Sequence, residues 1–207
     1  MKISSLFFVL TLVWNTATAQ ADIQQRFLED LNRKSTSVES ICCDFIQTKH
    51  NSMLAQDARS EGVFYFKRPS RLALLYTGHN HDRIVMGEID FMVVAGGTAH
   101  TVKIASNPLY QQMQEVFSAC FSGDVKALSS GDEFRCQQLN GQYEVRITPS
   151  SKRARRYIAE LVLVFSKKDM LLDELRIIER SGDYTSYQFR NRKTNQKIEN
   201  SVFECKL

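Results

Sequence analysis

Apolar residues recur along this chain at two spacings, and each spacing predicts a different kind of element. Ile23, Phe27 and Leu31 fall four apart and form one stripe of a helix over residues 22 to about 33, with Gln24, Arg26 and Asp30 elsewhere on its surface. Leu109, Met113, Val116, Phe117, Cys120 and Phe121 repeat at three- and four-residue steps and predict a second helix. Asn107 is its N-cap, Pro108 suits the first helical position, and Gly123 stands just past the end. The rest reads as short strands between turn residues. Those before the second helix are 41–49, 62–67, 71–76, 83–86, 90–94 and 99–104; those after it are 133–138, 142–148, 158–166, 171–180, 184–191 and 202–206. Gly78, Gly87 and Gly96-Gly97 mark connections in the first group, and Asn140-Gly141 and Gly182-Asp183 read as hairpin turns in the second. Eleven or twelve strands against two helices predict a mainly β chain with antiparallel neighbours, in a sheet large enough to curl.

One stretch departs from the alternation of a half-buried strand. In residues 61–76, EGVFYFKRPSRLALLY, Phe64 and Phe66 alternate with Val63 and Tyr65, and Leu72, Leu74 and Leu75 follow Arg68-Pro69, so both faces of two neighbouring strands are apolar. The surplus extends through the chain. Phe45, Phe64, Phe66, Leu72, Leu74 and Tyr76 in one group of strands, with Phe91, Val93, Leu163, Phe165, Ile177 and Tyr187 in the others, exceed what two helices can cover in full. Core packing accounts for each residue taken singly. The set together describes a concave apolar cavity, the usual form of a ligand pocket.

The N-terminus changes which part of the chain must fold. Lys2, the apolar run Leu6 to Trp14 and Ala17-Thr18-Ala19 have the order of a secretory signal with its cleavage site. Nine apolar residues are too few to span a bilayer, which takes about 20 in a helix. Residues 1–19 are therefore read as a signal peptide and 20–207 as one domain, of a length that can bury a substantial core. Cleavage leaves 26 basic against 23 acidic side chains, a balance that does not suggest nucleic acid. The one basic run, residues 152–156, reads as a solvated loop or as a contact for an acidic surface or anionic lipid heads. Export permits disulfides, but five cysteines (Cys42, Cys43, Cys120, Cys136 and Cys205) leave at least one thiol free or paired outside the chain. Adjacent Cys42 and Cys43 on a strand face opposite ways.

Catalytic chemistry is thin. His79-Asn80-His81 supplies two metal ligands, which do not make a site, and an exposed polar turn is expected there. Neither His50 nor His100 has a flanking acid or nucleophile pattern, and there is no nucleophile elbow, phosphate-cradling glycine loop or HExxH. Asp173 and Glu174, adjacent on a strand, face opposite ways and would not share a substrate. No catalytic residue, metal or cofactor is expected, and the chain is read as a binding protein and not an enzyme.

The order of motifs resembles the periplasmic lipoprotein carrier family, LolA and its relatives. Asp44-Phe45-Ile46-Gln47-Thr48 is similar to the first-strand pattern of that family, and residues 62–69, GVFYFKRP, resemble its G-x-F-x-F-x-R-P signature. Gly182-Asp183-Tyr184-Thr185, then Phe189, Asn191, Asn195, Ile198 and Phe203, match its C-terminal pattern, so the likeness covers nearly all of residues 20–207. The resemblance implies an unclosed antiparallel half-barrel of about 11 strands, with a helical lid over an apolar concave face. Acyl chains would bind between the two. The expected cavity residues are Phe45, Phe64, Phe66, Leu72, Leu74, Tyr76, Phe91, Val93, Leu163, Phe165 and Ile177 of the strands, with Met113, Phe117 and Phe121 of the second helix. By position, Arg68 is the arginine that latches the lid in the empty form. The resemblance also implies the periplasm of a Gram-negative bacterium and a monomer whose cargo is lipoprotein acyl chains or another envelope lipid. The implied donor is an inner-membrane lipoprotein-releasing ABC transporter, and the acceptor lies at the outer membrane. Since relatives include envelope-stress regulators, a lipid-sensing or regulatory module is the other reading. Where many relatives carry L-R-W-x-Y, this chain has Leu72-Ala73-Leu74-Leu75-Tyr76, a change expected to alter pocket shape and rim charge.

Overall fold

The structure, a computed structural model, describes residues 7–78, 81–122, 133–150, 152 and 154–205. Helix α1 (Phe7–Ser35) leads into six strands, β1 (Ser40–His50), β2 (Ala58–Lys67), β3 (Arg71–Thr77), β4 (Arg83–Met86), β5 (Asp90–Ala95) and β6 (Thr98–Lys103). Helix α2 (Pro108–Ser122) follows, then β7 (Glu133–Leu139), β8 (Gln142–Thr148), β9 (Ile158–Ser166), β10 (Leu172–Glu179) and β11 (Tyr184–Thr194). All eleven strands form one antiparallel sheet in the order β6-β5-β4-β3-β2-β1-β11-β10-β9-β8-β7. Each half is a meander, and the halves meet where β1 pairs with β11. The sheet does not close: β6 and β7 stand at its two ends. Among the described residues no helix is long and apolar enough to cross a membrane.

Both helices lie on one face. The stripe of α1 is buried as its spacing requires, with Phe27 and Leu31 fully covered. Phe27 packs against Phe134, Tyr143 and Phe165, with ring centroids 6.1, 5.4 and 5.2 Å apart, which docks α1 on β7, β8 and β9. Phe121 of α2 packs against Phe64 and Phe66 at 5.0 and 5.1 Å, and Tyr110 stacks on Phe91 at 4.5 Å. Helix α2 therefore covers the other half of the same face.

Two expectations need correction. Helix α1 is longer than residues 22–33, because the segment from Phe7 to Ser35 contains neither glycine nor proline to end it earlier. The last expected strand, 202–206, is not one. Residues Asn200–Phe203 make a 3-10 turn, and the chain to Cys205 lies across the outer face of the sheet. No free strand edge is available there, so this segment contributes side chains and not a ladder. Ile198 and Phe203 cover Ala73, Val85, Met92 and Val94. That second apolar layer explains the two-faced stretch at 61–76: Phe64, Phe66, Leu72 and Leu74 face the helices, while Ala73 and Leu75 face the C-terminal segment.

The hairpin turn at Asn140-Gly141 has φ of 47° and 79°, the two left-handed residues that a type I′ turn needs and that this pair accommodates. Gly123 and Lys206 lie outside the described residues.

Candidate functional site

All fourteen residues expected to line the cavity belong to one apolar cluster between the sheet and the helices. They do not share one environment. Between β2–β5, β10–β11 and α2 is an internal cavity of about 80 Å³, reached by Phe64, Leu72, Leu74, Phe91 and Ile177 from the sheet and by Met113, Phe117 and Phe121 from α2. A smaller void of about 30 Å³ shares Met113, Phe117 and Ile177 and is lined also by Ala154, in the middle of the basic run. Phe66 packs on Phe121, Phe165 packs on Phe27 of α1, and Leu163 is fully buried; these three line neither space. Phe45, Tyr76 and Val93 lie farther along the same face, toward an open recess of about 640 Å³ at the end of β3, β4 and β5. Sequence spacing did not single out Ile84, Met86, Leu175 or Phe189, which also line the 80 Å³ cavity. Ile84, Met86 and Leu175 were missed because their strands carry no aromatic signal of their own.

The exchanged pair at 73–74 divides between the two faces. Leu74 lines the cavity. Ala73 is fully buried on the outer face and does not reach the pocket rim. Arg71 is no rim charge either: its guanidinium sits 5.5 Å from the centre of the Phe203 ring and its Nη1 donates to Asn200.

Arg68 lies at the end of β2, where α1 gives way to β1. Its Nε donates to the Val38 carbonyl and its Nη2 to the Ser35 carbonyl, both at 2.6 Å. Ser35 ends α1 and its carbonyl also accepts from Val38 N at 2.9 Å, so the guanidinium is a second donor there and places positive charge at the negative end of the helix. From the other side Asn195 Nδ2 donates to the Ser37 carbonyl (2.9 Å), and Asn195 Oδ1 accepts from Glu39 N (2.8 Å). Helix α2 is tied to the same end of the sheet by Ser118 Oγ donating to the Pro69 carbonyl and Gln114 Nε2 donating to the Gly87 carbonyl, both at 3.0 Å. Polar bonds thus hold both helices at one end, while their apolar faces cover the cavity.

Near the open recess the face carries a polar cluster. Gln47 Nε2 donates to the Tyr187 hydroxyl at 2.7 Å, and the Tyr76 phenol stands beside them, its ring against Phe45 as the Tyr187 ring is. Burial pushes the phenols of Tyr76 and Tyr187 upward, so both keep their protons and can donate.

Cys42, Cys43, Cys120 and Cys205 are free thiols. Burial pushes Cys43, Cys120 and Cys136 up to about 12. Cys42 and Cys205, both partly exposed, are raised by the same cause. Iodoacetamide at pH 8 is expected to modify Cys42 and Cys205 slowly and the three buried thiols only after denaturant is added; peptide mass mapping reads the difference. The linked stability follows in sign. Below the unfolded thiol value near 9 the folded form keeps its full advantage, and that advantage is lost as pH rises from about 9 to about 12.

Among the described residues no group of three or more His, Cys, Asp or Glu is placed to hold a metal ion. His79 and Asn80 lie outside the described residues, as does Arg153 of the basic run. Arg155 and Arg156 are exposed in a 3-10 turn, Ala154–Arg156.

Comparison with known proteins follows the same pattern. The family model of the outer membrane lipoprotein carrier protein LolA matches residues 36–206. No curated protein matches the sequence. The structure is similar to MucB in the Pseudomonas aeruginosa MucA/MucB complex, with a TM-score of 0.51 and 15% identity over 86% of this chain and 59% of that one. It is similar also to MucB alone (TM-score 0.50, 13% identity, 89% and 62% covered). A LolA superfamily protein from Nitrosomonas europaea aligns with a TM-score of 0.46 and 9% identity over 87% and 96%. The chain spans about three fifths of the length of the MucB chains.

Proposed function

Because the chain belongs to the family of the outer membrane lipoprotein carrier protein LolA, we propose that it is a carrier that shields hydrocarbon tails in the cell envelope and releases them to an acceptor. The cargo is the acyl part of an exported lipoprotein or another envelope lipid, and residues 1–19 act as the cleaved signal that takes the chain to the periplasm. The observation that carries this reading is the continuous apolar interface between one sheet face and two helices that are polar-bonded mainly at one end.

Removing a saturated chain from water yields about 0.8 kcal/mol per CH2, so a sixteen-carbon tail fully enclosed gains roughly 12 kcal/mol before ordering costs. A carrier has to bind less tightly than that, or it cannot let go. An 80 Å³ cavity holds a few water-sized groups and no such tail, which makes this the closed form. Cargo enters as α1 or α2 lifts, and the bonds of Arg68, Ser118 and Gln114 oppose the lifting. Part of the apolar gain is then spent on opening, which lowers net affinity into a reversible range.

Arg68→Leu is expected to destabilise the closed form by about 2–3 kcal/mol, since the two charge-assisted bonds to the Val38 and Ser35 carbonyls are lost. Uptake of a fluorescent fatty acid should speed up, and hand-off to acceptor vesicles should slow. Unchanged rates for both steps would remove the latch role.

The carrier reading is tested by incubating purified protein with donor vesicles bearing an acylated lipoprotein, then with acceptor vesicles. The expected result is loss from the first and gain by the second. The second reading follows from the likeness to MucB, which is known in complex with MucA: a regulatory module that binds lipid or a partner protein and delivers nothing. It predicts binding without any gain by the acceptor. Donation by an inner-membrane lipoprotein-releasing ABC transporter and receipt at the outer membrane belong to the first reading only.

A further inference from the structure

The inner face is apolar except where Gln47, Tyr76 and Tyr187 meet, and the strand register explains how three residues on β1, β3 and β11 come together. Tyr76 lies opposite Gly62, and Gly62 lies opposite Phe45. With no side chain at 62, the Phe45 and Tyr76 rings close over β2 to a centroid distance of 5.1 Å at 88°. Tyr187 approaches Phe45 from the other side at 6.1 Å and is the direct cross-strand partner of Gln47. Phe45 thus forms a floor, and the two hydroxyls and the amide meet at its edge.

This cluster stands between the two spaces described above. Gln47 and Tyr76 line the open recess, Tyr187 lines the internal cavity, and Ile84 borders both. A hydrocarbon tail passing from one to the other crosses the three polar groups. The amide supplies two N–H groups and each phenol one O–H, and the bond from Gln47 Nε2 to the Tyr187 hydroxyl uses one of these four donors. The cluster therefore has donors to offer an incoming acceptor. Beyond the cluster the recess carries Arg59, Glu61 and Asp82 among its lining residues.

We propose that Gln47, Tyr76 and Tyr187 form a carbonyl subsite, which reads the ester or amide group where an acyl tail joins its polar head. The tail extends past Tyr187 toward Phe64 and Leu74, and the head lies in the recess. The subsite rests on the carrier reading and adds to it a preference for acyl over alkyl amphiphiles. Lipoprotein amides and glycerolipid esters share this chemistry.

The test compares 1-lauroylglycerol, an acyl ester, with 1-O-dodecylglycerol, its ether counterpart, each below its micellar concentration, by tryptophan-free fluorescence displacement or calorimetry. N-lauroyl-cysteine methyl ester separates the amide source from the ester. The protein is expected to bind both carbonyl probes about tenfold more tightly than the ether, the worth of one buried hydrogen bond. Tyr187→Phe should abolish that difference by weakening the two carbonyl probes more than the ether, and Gln47→Leu should reduce it. Tyr76→Phe, which leaves the Phe45 contact intact, serves if the first variant folds poorly. Equal affinity for ester, amide and ether in the unaltered protein overturns the subsite and leaves the carrier reading standing. Failure to bind any of the three overturns both.

Discussion

Phe27→Ala is expected to lower folding stability by about 3–5 kcal/mol, the range for truncating a buried aromatic side chain. Phe27 is fully buried and is the centre of a ring cluster with Phe134, Tyr143 and Phe165, through which α1 is held to β7, β8 and β9. Few other groups can compensate. Tyr143 donates to Asp30 of α1 at 3.3 Å, and Lys34 Nζ donates to the Lys167 carbonyl at 3.0 Å, but both bonds are partly exposed and worth about 1 kcal/mol each at most. Urea unfolding should show the midpoint fall, and amide exchange should quicken through α1 well before it does in β1 or β11. Phe27→Leu keeps most of the apolar volume and should lose less than half as much. A loss under about 1 kcal/mol for the alanine variant would mean that α1 is not docked through this ring.

Gly62→Ala is expected to cost about 3 kcal/mol or more, for a different reason. A methyl group at this position would stand 2.1 Å from the Leu75 carbonyl oxygen and 2.8 Å from Phe45 Cε1. The first contact is with backbone of the neighbouring strand, so β2 and β3 have to separate; core overpacking of this kind costs about 1–3 kcal/mol, and a backbone collision lies at the upper end. Phe45 would also be displaced from its place over β2, breaking the edge contact with Tyr76. A comparison isolates the cause. Gly141 has nothing within 4 Å of its would-be methyl group but a φ of +79°, so Gly141→Ala should cost only about 1–2 kcal/mol of backbone strain. If thermal unfolding ranks the two variants the other way round, the close packing of β2 on β3 and Phe45 is wrong.

Motif residues that read as a family pattern acquire physical roles here. Asn195, in a left-handed conformation at φ 58°, clamps the turn between α1 and β1 through its side-chain amide. Asn191, at φ 53°, sits where the β1–β11 register shifts, and its Nδ2 donates to Asp44 at 2.7 Å. Ile198 and Phe203 cover the outer face. Spacing alone offers no way to distinguish these roles, since each depends on a partner more than 100 residues away or on another layer. The basic run is the reverse case: its charge stands out in the sequence, while the residue that touches the cavity is the apolar Ala154 between the charges.

Local physics was enough for most of the secondary structure. Alternation, the Asn107-Pro108 start and the Asn-Gly turn act over a few residues, so all eleven strands, both helices and the antiparallel sheet were legible, the strands to within a residue or two at most ends. The sequence also showed that both faces between 61 and 76 had to be covered. What lay on each face was a tertiary decision. Burial there is settled by which distant segment arrives, and the C-terminal residues became a side-chain layer because the sheet had no free edge at that place. The same holds for the split between packed and cavity-lining residues. Phe165 and Phe64 are alike in kind and spacing, yet one packs on Phe27 and the other lies beside open volume. Only the positions of α1 and α2 separate them, because a void is a property of how surfaces fit and has no period along the chain.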